Sequence, residues 1–407
     1  MIKNIFPKFN IKKLNNNNYT KKINLIKILP ILIIFILTGC YDHKELNTIA
    51  IMTATEINKI DDEFIVNVQV VNPQSKDTVN VQAPFIIYEG KGKTIHEAYR
   101  QIEQQSSRFL YPNHMEILIV NEKLAKEDIS QIIDLFLRVP DVRTEFNVLI
   151  GKNDNILNIT TPIDDVSGTS IVDTMKINNQ YLGITNLVTF NEFANMNLNK
   201  NLEIILPSIE TVNYKESATT TKNTEKTKIE SLYKLENLAI FKNNKLLGYL
   251  TKDESITYNV IKNKTKNILI TTECQKDKYM TVEANNIKSD ISTKNKEINI
   301  NIEMTGNINE TMCNIKLNNE KNIKKIEKDL KNYIENQITT NINNIRKTYN
   351  SDIFGFLDLI YKKDYNTYKK IKDTWYNKTY KDIKINVKAS INIIGKGNVL
   401  EGNNEKN

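Results

Sequence analysis

Leu37-Thr38-Gly39-Cys40 closes an apolar run, and no other stretch combines residue type and spacing into a defined covalent reaction. A basic segment, an apolar stretch and a small residue before cysteine form the substrate pattern of bacterial lipoprotein maturation. That processing places a diacylglyceryl group on the Cys40 sulfur and makes Cys40 the first residue of the product. The first 39 residues fit this pattern, with seven lysines and no acidic residue. The apolar core, Ile28 to Leu37 with Pro30 inside it, spans roughly 15 Å as a helix, about half the hydrocarbon thickness of a bilayer. A spanning helix needs about 20 apolar residues, so residues 1–39 read as a signal peptide. The competing reading is an ordinary cysteine behind an uncleaved hydrophobic stretch, which leaves the basic-apolar-small order without a reason.

The remaining reactive side chains do not assemble into a catalytic set. None of the histidines (His43, His96, His114) stands at metal-ligand spacing with another His, Cys or acid. Ser106 and Ser107 lack a nucleophile-elbow context. Gly90-Lys91-Gly92 is too short for a phosphate-binding loop and has no Lys-Ser pair after it. Asp61-Asp62 and Asp164-Asp165 are adjacent acids, which mark turns or caps far more often than catalytic pairs. No catalytic residue, metal or cofactor is therefore expected beyond the lipid on Cys40. Cys274 and Cys313, read as lying in strands, can form a disulfide outside the cytoplasm or stay as two buried thiols.

Charge follows the leader. The chain carries 56 basic and 48 acidic side chains, a net of +8. Without residues 1–39 the balance is 49 to 48, so the basic excess belongs to the discarded segment. A nucleic-acid binder needs a clustered basic surface, and none alternates with aromatics here.

The elements after Cys40 alternate between strands and helices. Thr48 to Asn58 and Phe64 to Val71 read as a hairpin across the turn Lys59-Ile60-Asp61-Asp62. Thr94 caps a helix from Ile95 to about Arg108, with Glu97 as the capping-box acid. Met115 to Val120 and Phe146 to Ile150 read as strands, with a helix over Lys126 to Arg138 between them. That helix puts Ile129, Ile132, Ile133, Phe136 and Leu137 on one face, and Pro140 stops it. Residues 160–201 read as helix, short strand, helix, and the Thr- and Lys-rich stretch 211–230 reads as an exposed linker. Further strands follow at Leu235 to Tyr249, Ile268 to Glu273, Tyr279 to Glu283, Ile287 to Ser292 and Ile298 to Met304. Ile323, Ile326, Leu330, Ile334, Ile338, Ile342 and Ile345 then mark one long helix, and Asp382 to Ile394 a last strand. The expected fold class is α+β: two to three domains of mixed, mostly antiparallel sheets with packed helices and one long helix in the C-terminal domain. The expected divisions are a signal peptide 1–39, an N-terminal region 40–210 of one or two subdomains, a linker 211–230, a C-terminal domain 231–397 and a disordered tail 398–407.

Gly39-Cys40-Tyr41-Asp42 with Glu45-Leu46, Gly92-Lys93-Thr94-Ile95, Ser107-Arg108, His114 and Leu206-Pro207 resemble the Ger(x)C family. These are the lipoprotein C subunits of bacterial spore germinant receptors. Leu246-Leu247-Gly248-Tyr249-Leu250, the long helix, Ser351-Asp352-Ile353-Phe354-Gly355-Phe356 and Trp375 extend the resemblance over nearly all of the chain after Cys40. The family usually has Trp where this chain has Tyr41, often Trp at Tyr249, and tends to Gly at Asn237.

The resemblance implies a non-enzymatic subunit on the outer face of the spore inner membrane, held by the Cys40 lipid beside integral-membrane A and B subunits. It also implies an α+β fold in three domains without an evident catalytic cleft. Two alternatives of other classes remain: a solute-binding lipoprotein feeding a nutrient transporter, and a surface hydrolase of the cortex or wall. The first is expected to show two lobes of regular βα units, the second an acid pair, a triad or a metal set. Neither signature is present in the sequence.

Overall fold

The computed structural model describes residues 45–73, 82–139, 142–160, 166–223, 225, 227–229, 231–294 and 297–397. Leu37-Thr38-Gly39-Cys40, Tyr41, His43, Pro140, Asp164-Asp165 and the tail from 398 lie outside them. The chain divides into two units between Thr48 and Ile49, and all strands and α-helices among the described residues belong to the second.

Strands β1 (Ile49–Ile60) and β2 (Glu63–Val71) form the expected hairpin, with Ile57 opposite Val66 and Ile60 opposite Glu63. Asp61 and Asp62 both take positive φ, 50° and 62°, the backbone that a two-residue hairpin turn demands and that short polar side chains tolerate. Strand β3 (Phe85–Gly92) adds to β2. Helix α1 (Ile95–Glu103) folds back on it, capped by the Thr94 hydroxyl, which accepts from the Glu97 N–H. Glu97 Oε2 accepts from the Lys93 N–H at 2.7 Å, one residue before the cap. The helix lies so close that a Cβ on Gly90 would stand 2.1 Å from the Ala98 carbonyl oxygen. Gly90→Ala should therefore destabilise the protein by about 1–3 kcal/mol through overpacking. Urea unfolding reads this directly, and an unchanged midpoint would show that α1 can shift freely.

The chain continues through β4 (Phe109–Tyr111), β5 (Ile117–Asn121), α2 (Glu122–Asp128), α3 (Ile133–Arg138) and β6 (Asn147–Gly151). Then come α4 (Ser167–Tyr181), α5 (Phe190–Leu198), β7 (Ile205–Val212), β8 (Leu232–Lys242) and β9 (Lys245–Tyr249). Together they make one sheet in the order β3-β2-β1-β5-β6-β7-β8-β9, with β4 beside β1. Its centre, β1-β5-β6-β7, is parallel and its two flanks are antiparallel. All five residues of β5 and of β6 are buried, because helices cover both faces of a parallel centre. Residues of α1, α2, α3 and α5 fill the core on one face, and those of α4 the core on the other.

Several local expectations change, among them a helix expected to about Arg108 that ends at Glu103. The helix expected over Lys126 to Arg138 breaks at Asp128, whose extended backbone (φ −168°) and carboxylate cap a 3-10 turn, Ile129–Ile132. Ile129, Ile132, Ile133 and Phe136 still face inward, but Leu137 is 53% exposed. The polar stretch 211–230 joins two adjacent strands of the same sheet, with Val212 opposite Leu232. Within it Ala218 and Asn223 are buried, and the Asn223 amide donates to the Thr160 and Ser231 carbonyls. It lies against the N-terminal region as part of a hairpin connection.

Beyond β9, α6 (Lys252–Ile261) leads to β10 (Ile268–Gln275), β11 (Lys278–Lys294) and β12 (Glu297–Thr311). Helices α7 (Glu320–Tyr349), α8 (Phe356–Lys363) and α9 (Tyr365–Ile371) precede β13 (Ile385–Gly395). The second sheet runs β10-β11-β12-β13, its last pair parallel. The two strands expected within 279–292 are one strand, bent between Asn285 and Lys288 where Asn286 takes φ 54°. Every apolar residue of the α7 stripe is at most 6% exposed, and the stripe lies on the protein's own second sheet. That core also takes in Ile205 of β7 and Leu238 and Ile240 of β8, so the two sheets share it.

A disulfide joins Cys274 of β10 to Cys313, which lies just past β12 and not in a strand. It closes a loop of sequence separation 39. Removing it, as in Cys274→Ser, should cost about 2–4 kcal/mol. The melting temperature with and without reductant checks this; equal values would mean that the link adds nothing.

Candidate functional site

The residues singled out by chemistry fall on separate turns and elements. Cys40 is outside the described residues. His96 is exposed in the first turn of α1, and His114 is exposed at the end of the 3-10 turn Pro112–His114. Ser106 closes a turn by donating to the Arg108 carbonyl, Asp61-Asp62 form the β1–β2 turn, and Gly90-Lys91-Gly92 is the end of β3. Among the described residues no group of three or more His, Cys, Asp or Glu could hold a metal. No helix among them is long and apolar enough to cross a membrane.

What the sequence did not reveal is a pair of fully buried carboxyls. Glu56, in the parallel centre of β1, accepts from the backbone N–H groups of Asn155 (3.1 Å) and Leu157 (3.5 Å). Burial pushes it up to about 7, only partly offset by those bonds, while Asp154 nearby adds repulsion. Asp154 itself accepts from the amides of Asn58 and Asn121 at 3.0 and 2.7 Å. The sequence signal is faint: a single acid in a strand that is mostly apolar and threonine.

Asp352 sits in Ser351-Asp352-Ile353-Phe354-Gly355-Phe356, the segment that carries part of the family resemblance. Its two oxygens accept from the N–H groups of Phe356 (3.0 Å) and Leu357 (2.8 Å), the first turn of α8. Burial raises it to about 6. Around it the Ser351 hydroxyl donates to the Phe241 carbonyl of β8, and the Tyr380 hydroxyl to the Ser351 carbonyl. Lys262, just past α6, donates to the Phe354 carbonyl at 3.0 Å, and Tyr376 donates to Glu203 at 2.6 Å. These bonds fasten the large sheet to the C-terminal helices. Each oxygen of Asp352 is committed to backbone, so the arrangement clamps two layers and presents no free base.

A second joint passes through Tyr249 of β9. Its hydroxyl donates to Glu122 of α2 at 2.6 Å, its carbonyl accepts from the Tyr349 hydroxyl of α7 at 2.7 Å, and Lys152 lies 4.4 Å from its ring centre. A tyrosine serves here because ring and hydroxyl are used at once.

Residues 42–211 match the family model described as the spore germination protein N-terminal domain. Residues 236–397 match the one described as spore germination B3/GerAC like, C-terminal. Spore germination protein KC of Bacillus subtilis (strain 168) is 26% identical over 382 residues, 90% of this chain and 94% of that protein. The putative spore germination protein YfkR of the same organism is 24% identical over 388 residues, 92% and 96% of the two chains. The crystal structure of the GerBC protein is 17% identical with a TM-score of 0.49, covering 84% of this chain and 97% of that one. With its N-terminal and C-terminal parts each matched in order, the chain belongs to the Ger(x)C family of spore germination proteins.

Proposed function

We propose that this chain is a lipid-anchored, non-catalytic C subunit of a spore germinant receptor. In this reading it stands on the outer face of the spore inner membrane and acts with integral-membrane A and B subunits. The observation that carries it is positional: the match to the family begins at Asp42, two residues after Cys40. That start supports reading the residues before Cys40 as a leader outside the body of the family. The buried acids support a non-catalytic role, since both are consumed in holding backbone N–H groups.

The anchor has a physical use. Two acyl chains hold a protein stably at a bilayer at about 0.8 kcal/mol per buried methylene. Confinement beside membrane partners raises their effective concentration, so modest contacts suffice for assembly. Affinity capture of the tagged chain from detergent-solubilised spore membranes should bring down two partners, one with many spans and one with few. Recovery of the chain alone, under conditions that preserve other membrane complexes, would count against the receptor reading.

A further inference from the structure

At the C-terminal end of α7 a cavity of about 420 Å3 is lined by Asn343, Arg346, Lys347, Asn350 and Lys381. Three of the five are cations and none is an acid. Among the described residues, Arg346, Lys347 and Lys381 have no carboxylate within ion-pair distance. A fourth cation, Lys242 of β8, reaches the same helix end and donates to the Asn350 carbonyl at 2.7 Å. Burial holds Lys242 below its ordinary value; Glu203 attracts it through space and Lys381 repels it. In a body whose acids and bases nearly balance, four cations gathered without an ion-paired acid are an imbalance that folding alone does not require.

The helix end explains only part of it. A helix C-terminus carries roughly half a negative charge, far less than four cations supply. Lys242 and Arg346 do serve the backbone: Arg346 donates to the Lys381 carbonyl and, through its other terminal nitrogen, to Asn343 Oδ1 at 3.3 Å. Those bonds use two of five guanidinium donors. Arg346 Nε, a donor, is buried with no partner, the mark of a polar network with an acceptor missing. The nearest acids, Asp382 and Asp352, act on Arg346 only through space.

We propose that this cavity binds a phosphate group. Arg346 supplies a planar fork and Lys347 and Lys381 supply two movable point charges, the combination that suits a doubly charged tetrahedral anion. The volume lies in the range of about 300–1,000 Å3 typical of small-molecule sites, so a phosphate ester fits as well as the free ion. The phosphate can belong to a soluble molecule or to a lipid headgroup.

Calorimetry on the full chain in a neutral detergent distinguishes these, with pyrophosphate as the soluble probe and dioctanoyl phosphatidate as the lipid probe. Lys347→Gln combined with Lys381→Gln is the test variant, since both side chains are exposed and the fold does not depend on them. The expected result is saturable binding of at least one probe, weakened about tenfold or more in the double variant and weakened further by added salt. Pyrophosphate binding alone assigns a soluble ligand, and phosphatidate binding alone a lipid headgroup; either supports the site. No binding of either probe at millimolar concentration, or equal binding by the double variant, overturns it.

Discussion

Replacing Cys40 with Ala should abolish acylation and move the bulk of the protein out of the membrane fraction. Two chains of roughly 16 carbons contribute on the order of 20 kcal/mol of membrane affinity, which makes attachment effectively permanent. The variant keeps only the short apolar run Ile28 to Leu37, about half the length needed to span, so its attachment is weak and reversible. The body should fold as before, because the first buried residue of the described chain is Ile49, nine positions after Cys40. The measurement is fractionation of spore membranes with intact-mass analysis of the product, beside a thermal melt. Equal membrane retention of the wild type and the variant, or an unmodified thiol on a wild-type chain that still carries its leader, would sink the anchoring reading. A melt lowered by several degrees would instead mean that the anchor segment is part of the fold.

The second large effect is a loss of stability as pH rises from 5 to 8. Burial raises Glu56 from 4.5 to about 7 and Asp352 from 3.8 to about 6. Within those windows the folded protein keeps protons that the unfolded chain has released, so raising the pH favours unfolding. The stabilisation is complete below the unfolded values and is lost as pH passes through about 7 for Glu56 and about 6 for Asp352. Each shift is worth on the order of 3 kcal/mol. Lys262 facing Asp352 lowers the cost of its charge and Glu203 raises it, while Glu56 faces Asp154. Carboxyls held low, such as Glu122 and Glu236, act in the opposite direction but only below their ordinary range. Urea unfolding at pH 5, 6, 7 and 8 reads the effect. Glu56→Gln keeps a carbonyl acceptor and removes the titration, so it should remove roughly two thirds of the pH slope, since much of the Asp352 window lies below pH 5. Rising stability from pH 5 to 8 in the wild type, or an unchanged slope in both Glu56→Gln and Asp352→Asn, would contradict the burial account.

Features read correctly from the chain are those written in neighbouring residues. The β1–β2 hairpin follows from the apolar, β-branched run before Asp61-Asp62 and the alternating Phe64, Val66, Val68 and Val70 after it, and α7 from seven apolar residues at intervals of three or four. The α7 stripe also told which face would be covered, and the second sheet covers it. Errors arose where one local choice outweighed a pattern. Asp128 breaks a helix whose apolar spacing is otherwise continuous, because its carboxylate takes the Ser130 N–H. The polar composition of 211–230 suggested an exposed linker between two parts; most of its described residues are exposed, but the strands on either side of it pair directly.

By itself the sequence determined the long amphipathic helix and the hairpins, since each depends on residues within a few positions along the chain. Only the tertiary structure decided that the strands before α6 join in one sheet around a parallel centre, that Cys274 meets Cys313, and that Glu56 and Asp352 are buried. It alone gathered Lys242, Arg346, Lys347 and Lys381 around one helix end. Those outcomes rest on pairs such as Asn155 with Glu56, 99 residues apart, and Ser351 with Phe241, 110 apart. Hydrophobic periodicity says which face of an element is buried but not which distant element buries it, and burial by a distant element is what changes a carboxyl's proton affinity or leaves a cluster of charges unpaired.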